Sequence, residues 1–252
     1  MSSPTSLGSC LCVRVQPLGD ADLIVTLLSA ELGRVDAVAK SARSSRKRFG
    51  GSLRLFSELD VNLGHGRGRL PVLATTSERR AWLGDSVGYD QLCLASYAAE
   101  LALCASQPEH ADVPLYLWLC DAWSLAAGSV QGVLRPLRLA IDVTWLRVMG
   151  LLPDLEACVR CGAHLDEGAV WAHAGQGLLC RNCAEGSAQR IGLDVLLGLR
   201  ALSARGLDAE VARHLPSAGL RSVEERVAQL VAQAVSTPLR SAVALRAALA
   251  ND

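Results

Sequence analysis

Four cysteines carry the most specific chemistry in this sequence. Cys158-Val159-Arg160-Cys161 and Cys180-Arg181-Asn182-Cys183 are two C-x2-C pairs separated by eighteen residues. Two thiolates with two residues between them can converge from one tight turn, and two such turns supply the four tetrahedral sulfurs that Zn2+ prefers. The spacing falls within that of zinc sites. Gly162 lets the backbone turn back after the first pair, and the small Ala184 follows the second. With four protein ligands no coordination position stays open for water, so the expected site holds one structural Zn2+ and is not catalytic. A pair of disulfides, a redox C-x-x-C and another metal cluster are the competing uses, and the redox use lacks its βαβ setting. His164 and His173 lie in the spacer, where either could replace a cysteine, but both read first as solvated loop residues. Cys10, Cys12, Cys93, Cys104 and Cys120 sit in apolar runs, where a free cysteine behaves as a small hydrophobe.

The second chemical cluster is cationic. Residues 34–54 hold Arg34, Lys40, Arg43, Arg46, Lys47, Arg48 and Arg54 against a single acid, Asp36. Within them the segment SARSSRKRFGG, residues 41–51, mixes cations with small residues that keep the backbone mobile and let guanidinium groups reach phosphates. A solvated surface loop is the plainer use of such a run, and Arg outnumbers Lys 23 to 2 in the whole chain, so arginine richness alone means little. These seven residues are the expected nucleic-acid contacts. Phe49 and Phe56 are the only aromatic residues near them, so binding should be directed to the backbone and indifferent to base sequence.

The elements that must position these clusters differ along the chain. From Cys10 to about Glu78, short apolar runs rich in Val, Leu and Ile alternate with Gly and polar turns, which predicts strands near 9–16, 22–29, 34–40, 54–63 and 70–77. The glycine-rich run Gly64–Gly68 reads as a hairpin connection. Five short strands in this length are compatible with a small OB-type barrel or with an open sheet. After Trp82 the spacing becomes helical, over 89–106, 115–127 and 137–149, with Pro114 and Pro136 just ahead of the last two. Trp118, Trp123 and Trp145 fall in these helical stripes and are expected in the core. In the tail, Ser222 with Glu225 predicts a capping box, and Thr237-Pro238 is expected to open a last helix to about Ala250. The expected organisation is α+β: a barrel domain over 1–80, then a helical domain over 81–252 with the cysteine insert at about 154–186.

Charge and missing motifs narrow the function. The 25 basic and 25 acidic residues cancel, which excludes a globally basic nucleic-acid binder. The cancellation is uneven: residues 1–85 carry +4, 86–152 carry −3, 153–190 carry −2 and 191–252 carry +1. Any polyanion is therefore expected at the front. The chain has no P-loop, no Gly-x-Ser-x-Gly elbow, no His-Glu-x-x-His and no deaminase signature, so catalysis is not expected. No secretory leader and no long apolar run is visible, and the expected location is a reducing cytosol.

With those pieces placed, the chain resembles the RecO family of bacterial recombination mediators. The resemblance rests on Leu18-Gly19-Asp20-Ala21-Asp22-Leu23-Ile24-Val25-Thr26-Leu27-Leu28, Gly33-Arg34-Val35, Ala37-Val38-Ala39-Lys40 and Arg46-Lys47-Arg48-Phe49-Gly50-Gly51. The two C-x2-C pairs and Pro238-Leu239-Arg240-Ser241 extend it along nearly the whole chain. It implies an N-terminal OB-fold, a helical bundle and a zinc-finger-like insert. It also implies binding of single- and double-stranded DNA, strand annealing without ATP, and work with RecR and single-stranded-DNA-binding protein in loading RecA, on the bacterial nucleoid and away from membranes. The rival is a zinc-ribbon scaffold that uses the insert and the tryptophan-bearing helices for protein contacts and ignores DNA.

Overall fold

In the computed structural model the described residues are 5–44, 48–49, 51–64, 68–84, 86–129, 133–172, 177–184, 190–216 and 219–250. Five strands open the chain: β1 (Thr5–Leu18), β2 (Asp22–Ser29), β3 (Gly33–Ala39), β4 (Ser57–Gly64) and β5 (Val72–Ala81). They close into a barrel in the order β1-β2-β3-β5-β4, which is OB-like, so the open sheet is not formed. Closure depends on the length of β1. Its residues 10–18 pair with β2 while residues 5–11 pair with β4, so one strand serves both neighbours by bending. The bends fall at two register shifts, Ser6/Gly8 and Cys12/Arg14, and Gly8 takes the left-handed φ of +65° that such a bulge needs. The opposite seam is slight: β3 meets β5 in parallel at the single pair Val38–Val72.

Period-two burial shows why these residues form strands. In β4, Ser57, Leu59 and Val61 are buried while Glu58 and Asp60 are half-buried on the other face. The barrel interior is filled by Cys10, Cys12, Val25, Leu27, Ala37, Leu59, Val61 and Leu73, with Phe49 among them. Each fully buried Leu or Val here contributes about 1.5–3 kcal/mol relative to exposure. Burial also pushes the Cys10 and Cys12 thiols up to about 12, which makes them inert packing groups.

Helices α1 (Tyr89–Ala105) and α2 (Val113–Ala127) follow, close to the helical runs predicted there. Asp112 caps α2 by accepting from the Leu115 N–H at 2.9 Å, and Pro114 sits in the first turn, where its missing N–H costs nothing. Trp123 is fully buried and donates from Nε1 to the Ala95 carbonyl at 3.2 Å, joining α2 to α1. Its ring meets Phe56 edge-on, with centroids 5.6 Å apart. Trp118 and Trp145 are core residues as well. Helix α3 (Leu134–Val148) packs against α4 (Leu193–Arg205), α5 (Ala209–Arg213) and α6 (Leu220–Ala234). Strands β6 (Ala169–Trp171) and β7 (Leu178–Leu179) lie in the cysteine insert and join β8 (Arg190–Ile191), just past it, in a three-stranded sheet with β6 central. Helix α7 (Ser241–Leu249) comes last.

Contacts group the chain into two compact units. One comprises residues 1–128 with 239–248, so α1, α2 and most of α7 go with the barrel; the other comprises 129–238 with 249–252. The change from strands to helices near residue 80 thus lies inside the first unit. Three local expectations are corrected. Helix α6 begins at Leu220 with Gly219 as its cap, so Ser222 lies within the first turn and donates back to the Gly219 carbonyl at 2.8 Å instead of forming a capping box. Helix α7 begins at Ser241, not at Pro238, because the cap comes from far away: the Glu100 carboxylate accepts from the Arg240 N–H at 3.0 Å and the Ser241 N–H at 2.8 Å. Cys104 is exposed although its neighbours are apolar.

Candidate functional site

The two C-x2-C pairs meet. Cys158 and Cys161 lie in the turn closed by the short bridge Ala157–His164, and Cys180 follows directly on β7. All four sulfurs lie within 4.8 Å of one another, and the Cys161 and Cys180 sulfurs are 3.7 Å apart. A disulfide needs about 2.05 Å, so these are free thiols. Four sulfurs at about 2.3 Å from a central ion would stand about 3.8 Å apart by tetrahedral geometry. The spacing found is that of a cage for a metal ion, and its all-sulfur donor set fits zinc.

Main-chain hydrogen bonds build each knuckle. Cys158 N–H donates to Ala163 O at 2.8 Å and Gly162 N–H returns to Cys158 O at 2.8 Å. Gly162 holds a φ of +72°, as the reversal after the first pair requires. Cys183 and Ala184 both donate to Cys180 O at 3.1 Å, which makes the second turn. Val159 N–H donates to Leu178 O at 2.8 Å, so the first knuckle is pinned to the strand leading into the second. Burial disfavours charge on Cys158, but backbone N–H groups of Cys180, Cys161 and Arg160 directed at its sulfur outweigh that and bring the thiol down to about 6. Hydrogen bonds with Cys161 and Cys180 instead hold the proton on Cys183, pushing it up to about 12. A cation that accepts four thiolates would displace such shared protons. His164 is exposed and is not in the cluster; His173 lies outside the described residues.

The cationic segment is less uniform. Arg46 and Lys47 lie outside the described residues. Arg34 faces Asp36 on the same strand, Nε to carboxylate 3.6 Å, and Arg54 faces Glu78 of β5 at 3.4 Å. The Arg54–Glu78 pair is the more exposed, and pairs of that kind contribute about 0–1 kcal/mol, so a phosphate can replace the Glu78 carboxylate at little cost; the Arg34–Asp36 pair is half-buried, and Asp36 also accepts from the Thr26 hydroxyl. Arg43 and Arg48 are engaged differently: Arg43 donates to Asp20 O at 3.1 Å, and Arg48 donates to Lys40 O while lying 5.2 Å from the Phe49 centroid. Lys40, at the end of β3, is exposed.

Residues 41–44 are tied down, against the expectation that small residues leave the loop mobile. Ser41 adopts a φ of +52°, its N–H donates to the Asp22 carboxylate at 2.7 Å, and Arg43 N–H donates to Ala21 O at 3.2 Å. The short turn between β1 and β2 therefore anchors the start of the basic segment. Phe49 and Phe56 are buried, so neither is a stacking platform. Sequence reasoning passed over Arg79 and Arg80. Arg79 pairs with Asp60 at 3.0 Å and with Glu58 at 3.8 Å, whereas the Arg80 guanidinium carbon lies over Trp82, 3.7 Å from the ring centroid. The available signal was the i, i+2 spacing of Arg80, near the end of β5, and Trp82, just past it. Among the described residues no helix is long and apolar enough to cross a membrane.

Comparison with known proteins agrees with this architecture. Residues 6–77 match the family described as "Recombination protein O N terminal" and residues 88–239 match "Recombination protein O C terminal". The chain is similar to "DNA repair protein RecO" of Anaeromyxobacter sp. (strain K), 37% identical over 227 residues, 86% of this chain and 87% of the relative. It is also similar to the proteins of that name from Symbiobacterium thermophilum, 33% identical over 81% of this chain and 80% of the relative, and Desulfatibacillum aliphaticivorans, 32% identical over 71% and 72%.

Proposed function

The chain belongs to the Recombination protein O family, and from that premise we propose that it is a recombination mediator in DNA repair. It binds single- and double-stranded DNA, anneals complementary strands without ATP, and helps load RecA onto DNA coated with single-stranded-DNA-binding protein, in concert with RecR. It acts on the nucleoid in the cytoplasm, as a mediator and not as a catalyst. The observation that carries this reading is the family match on both sides of residue 80, together with an OB-like barrel that bears the basic run.

The physical mechanism is charge neutralisation. Arg34, Lys40, Arg43, Arg46, Lys47, Arg48 and Arg54 lower the repulsion between two phosphate backbones while leaving base edges free to pair. Buried Phe49 and Phe56 support the same view, since the two rings nearest the basic run are closed to bases and leave it to grip backbones. The four cysteines hold one Zn2+ that supplies folding stability to the insert; with four sulfur ligands it offers no site for a substrate.

The test is strand annealing with and without the single-strand binding protein, paired with a salt titration of DNA binding. Wild-type affinity should fall with salt at a slope of about −0.7 per single-strand phosphate contacted. Replacing Arg46, Lys47 and Arg48 by Ala should flatten that slope and slow annealing. Unchanged affinity and slope would remove the basic segment from the interface. Wild-type protein that ignores DNA but captures protein partners would instead make it a scaffold.

A further inference from the structure

One arginine inside the first knuckle also reaches the second. The Arg160 guanidinium donates from Nη1 to the Cys183 carbonyl at 2.8 Å, across a separation of twenty-three residues. Its own backbone N–H is directed at the Cys158 sulfur. Arg160 thus touches the first ligand through its main chain and the last through its side chain, and its exposure means the contact serves no core. The corresponding residue of the second knuckle, Arg181, does not do this; it extends to Glu167 at 3.7 Å, with both side chains mostly exposed.

We propose that Arg160 is a positioning residue of the metal centre, a clasp that holds the two C-x2-C turns at coordinating distance and offsets the charge they acquire. The inference rests on the reading of the four cysteines as a metal site. A divalent ion with four thiolates is doubly negative, and a cation fixed at the edge of that centre stabilises it while the metal is bound. The carbonyl that Arg160 holds belongs to a ligand residue, so the hydrogen bond also fixes the main chain from which the fourth sulfur projects. Partners outside the ligand set are commonly worth about 10–100-fold in metal affinity.

The experiment follows zinc transfer from the full-length protein to a chromogenic chelator for wild type, Arg160→Ala, Arg160→Lys and Arg181→Ala. Arg160→Ala should release zinc about 10–100-fold faster. Arg160→Lys, which keeps a cation and a donor, should recover most of the wild-type rate, and Arg181→Ala should behave as wild type. Cobalt substitution gives a second readout: the tetrahedral thiolate bands of Arg160→Ala should shift while far-ultraviolet circular dichroism stays unchanged. Equal release rates for wild type and Arg160→Ala overturn the assignment, as does release from Arg160→Lys as fast as from Arg160→Ala. Wild-type protein that takes up neither zinc nor cobalt refutes the underlying metal site instead, so the two failures are distinguishable.

Discussion

The cysteine knuckles and the basic barrel loop hold their chemistry by opposite means. Around the four sulfurs the main chain does the positioning: Cys158 to Ala163, Gly162 to Cys158, Val159 to Leu178 and Ala184 to Cys180 are all backbone hydrogen bonds. Along the barrel the side chains position one another, Arg34 on Asp36 and Arg54 on Glu78, through ion pairs that are half-buried in the first case and more exposed in the second. A site set by backbone geometry is all-or-none and is encoded by spacing. A site made of long cations is graded, and its strength depends on which acids the neighbouring strands bring opposite.

The largest expected effect tests the all-or-none half. Replacing Cys158 and Cys183 together by Ser should take bound zinc from about one ion per chain to none, measured by elemental analysis, because two sulfurs cannot complete a tetrahedral site. Stoichiometric zinc in that double variant would end the comparison. By contrast, basic-segment substitutions should weaken DNA binding stepwise, lowering the salt slope by about 0.7 for each phosphate no longer neutralised.

A glycine in each region sharpens the contrast further. Gly33, at a φ of +65°, faces a wall: a Cβ there would lie 2.0 Å from His110 O and 2.8 Å from Gln107 O. Gly33→Ala should cost about 3 kcal/mol or more in urea unfolding, from backbone strain and displacement of the 107–110 segment together. Gly162, at +72°, meets nothing within 4 Å, so Gly162→Ala carries the conformational cost alone, about 1–2 kcal/mol. Equal losses would mean that the knuckle is as tightly enclosed as the barrel hairpin.

The smallest effect concerns the cap on α7. Burial opposes the Glu100 carboxylate, yet the hydrogen bonds from Ser241 and Arg240 outweigh it and hold its pKa below the usual carboxylate range. A carboxyl depressed in the folded state stabilises at pH above its unfolded pKa, and that contribution is lost as pH falls through the folded value. Glu100→Gln should therefore cost about 1 kcal/mol at neutral pH and flatten the acid limb of the stability curve. An acid limb identical to wild type would show that the cap does not depend on charge.

What can be read from the sequence follows the same division. The run predicted over 22–29 coincides with β2, and the four cysteines meet as their spacing requires, since both patterns are local. Strand β1 is longer at both ends than the predicted 9–16 because pairing with two neighbours extends it past its own apolar run. The start of α7 is not legible locally because its cap is a carboxylate from α1, some 140 residues earlier in the chain. Ser222 and Glu225 have the spacing of a capping box, but Gly219 starts the helix one turn sooner. Among the cations, nothing in the spacing of residues 34–54 tells that Glu78 will stand beside Arg54 while Arg43 finds a carbonyl.

The division of the chain has a consequence for how the protein is made. The unit that contains the barrel takes in residues 1–128 and then 239–248, so a ribosome must make residues 129–238 of the other unit before it delivers α7. A nascent chain can close its barrel early, but the α1 carboxylate that waits for α7 stays without its partner until translation of residues 129–238 is over. Synthesis order thus keeps the first unit to begin folding incomplete until most of the second has been made.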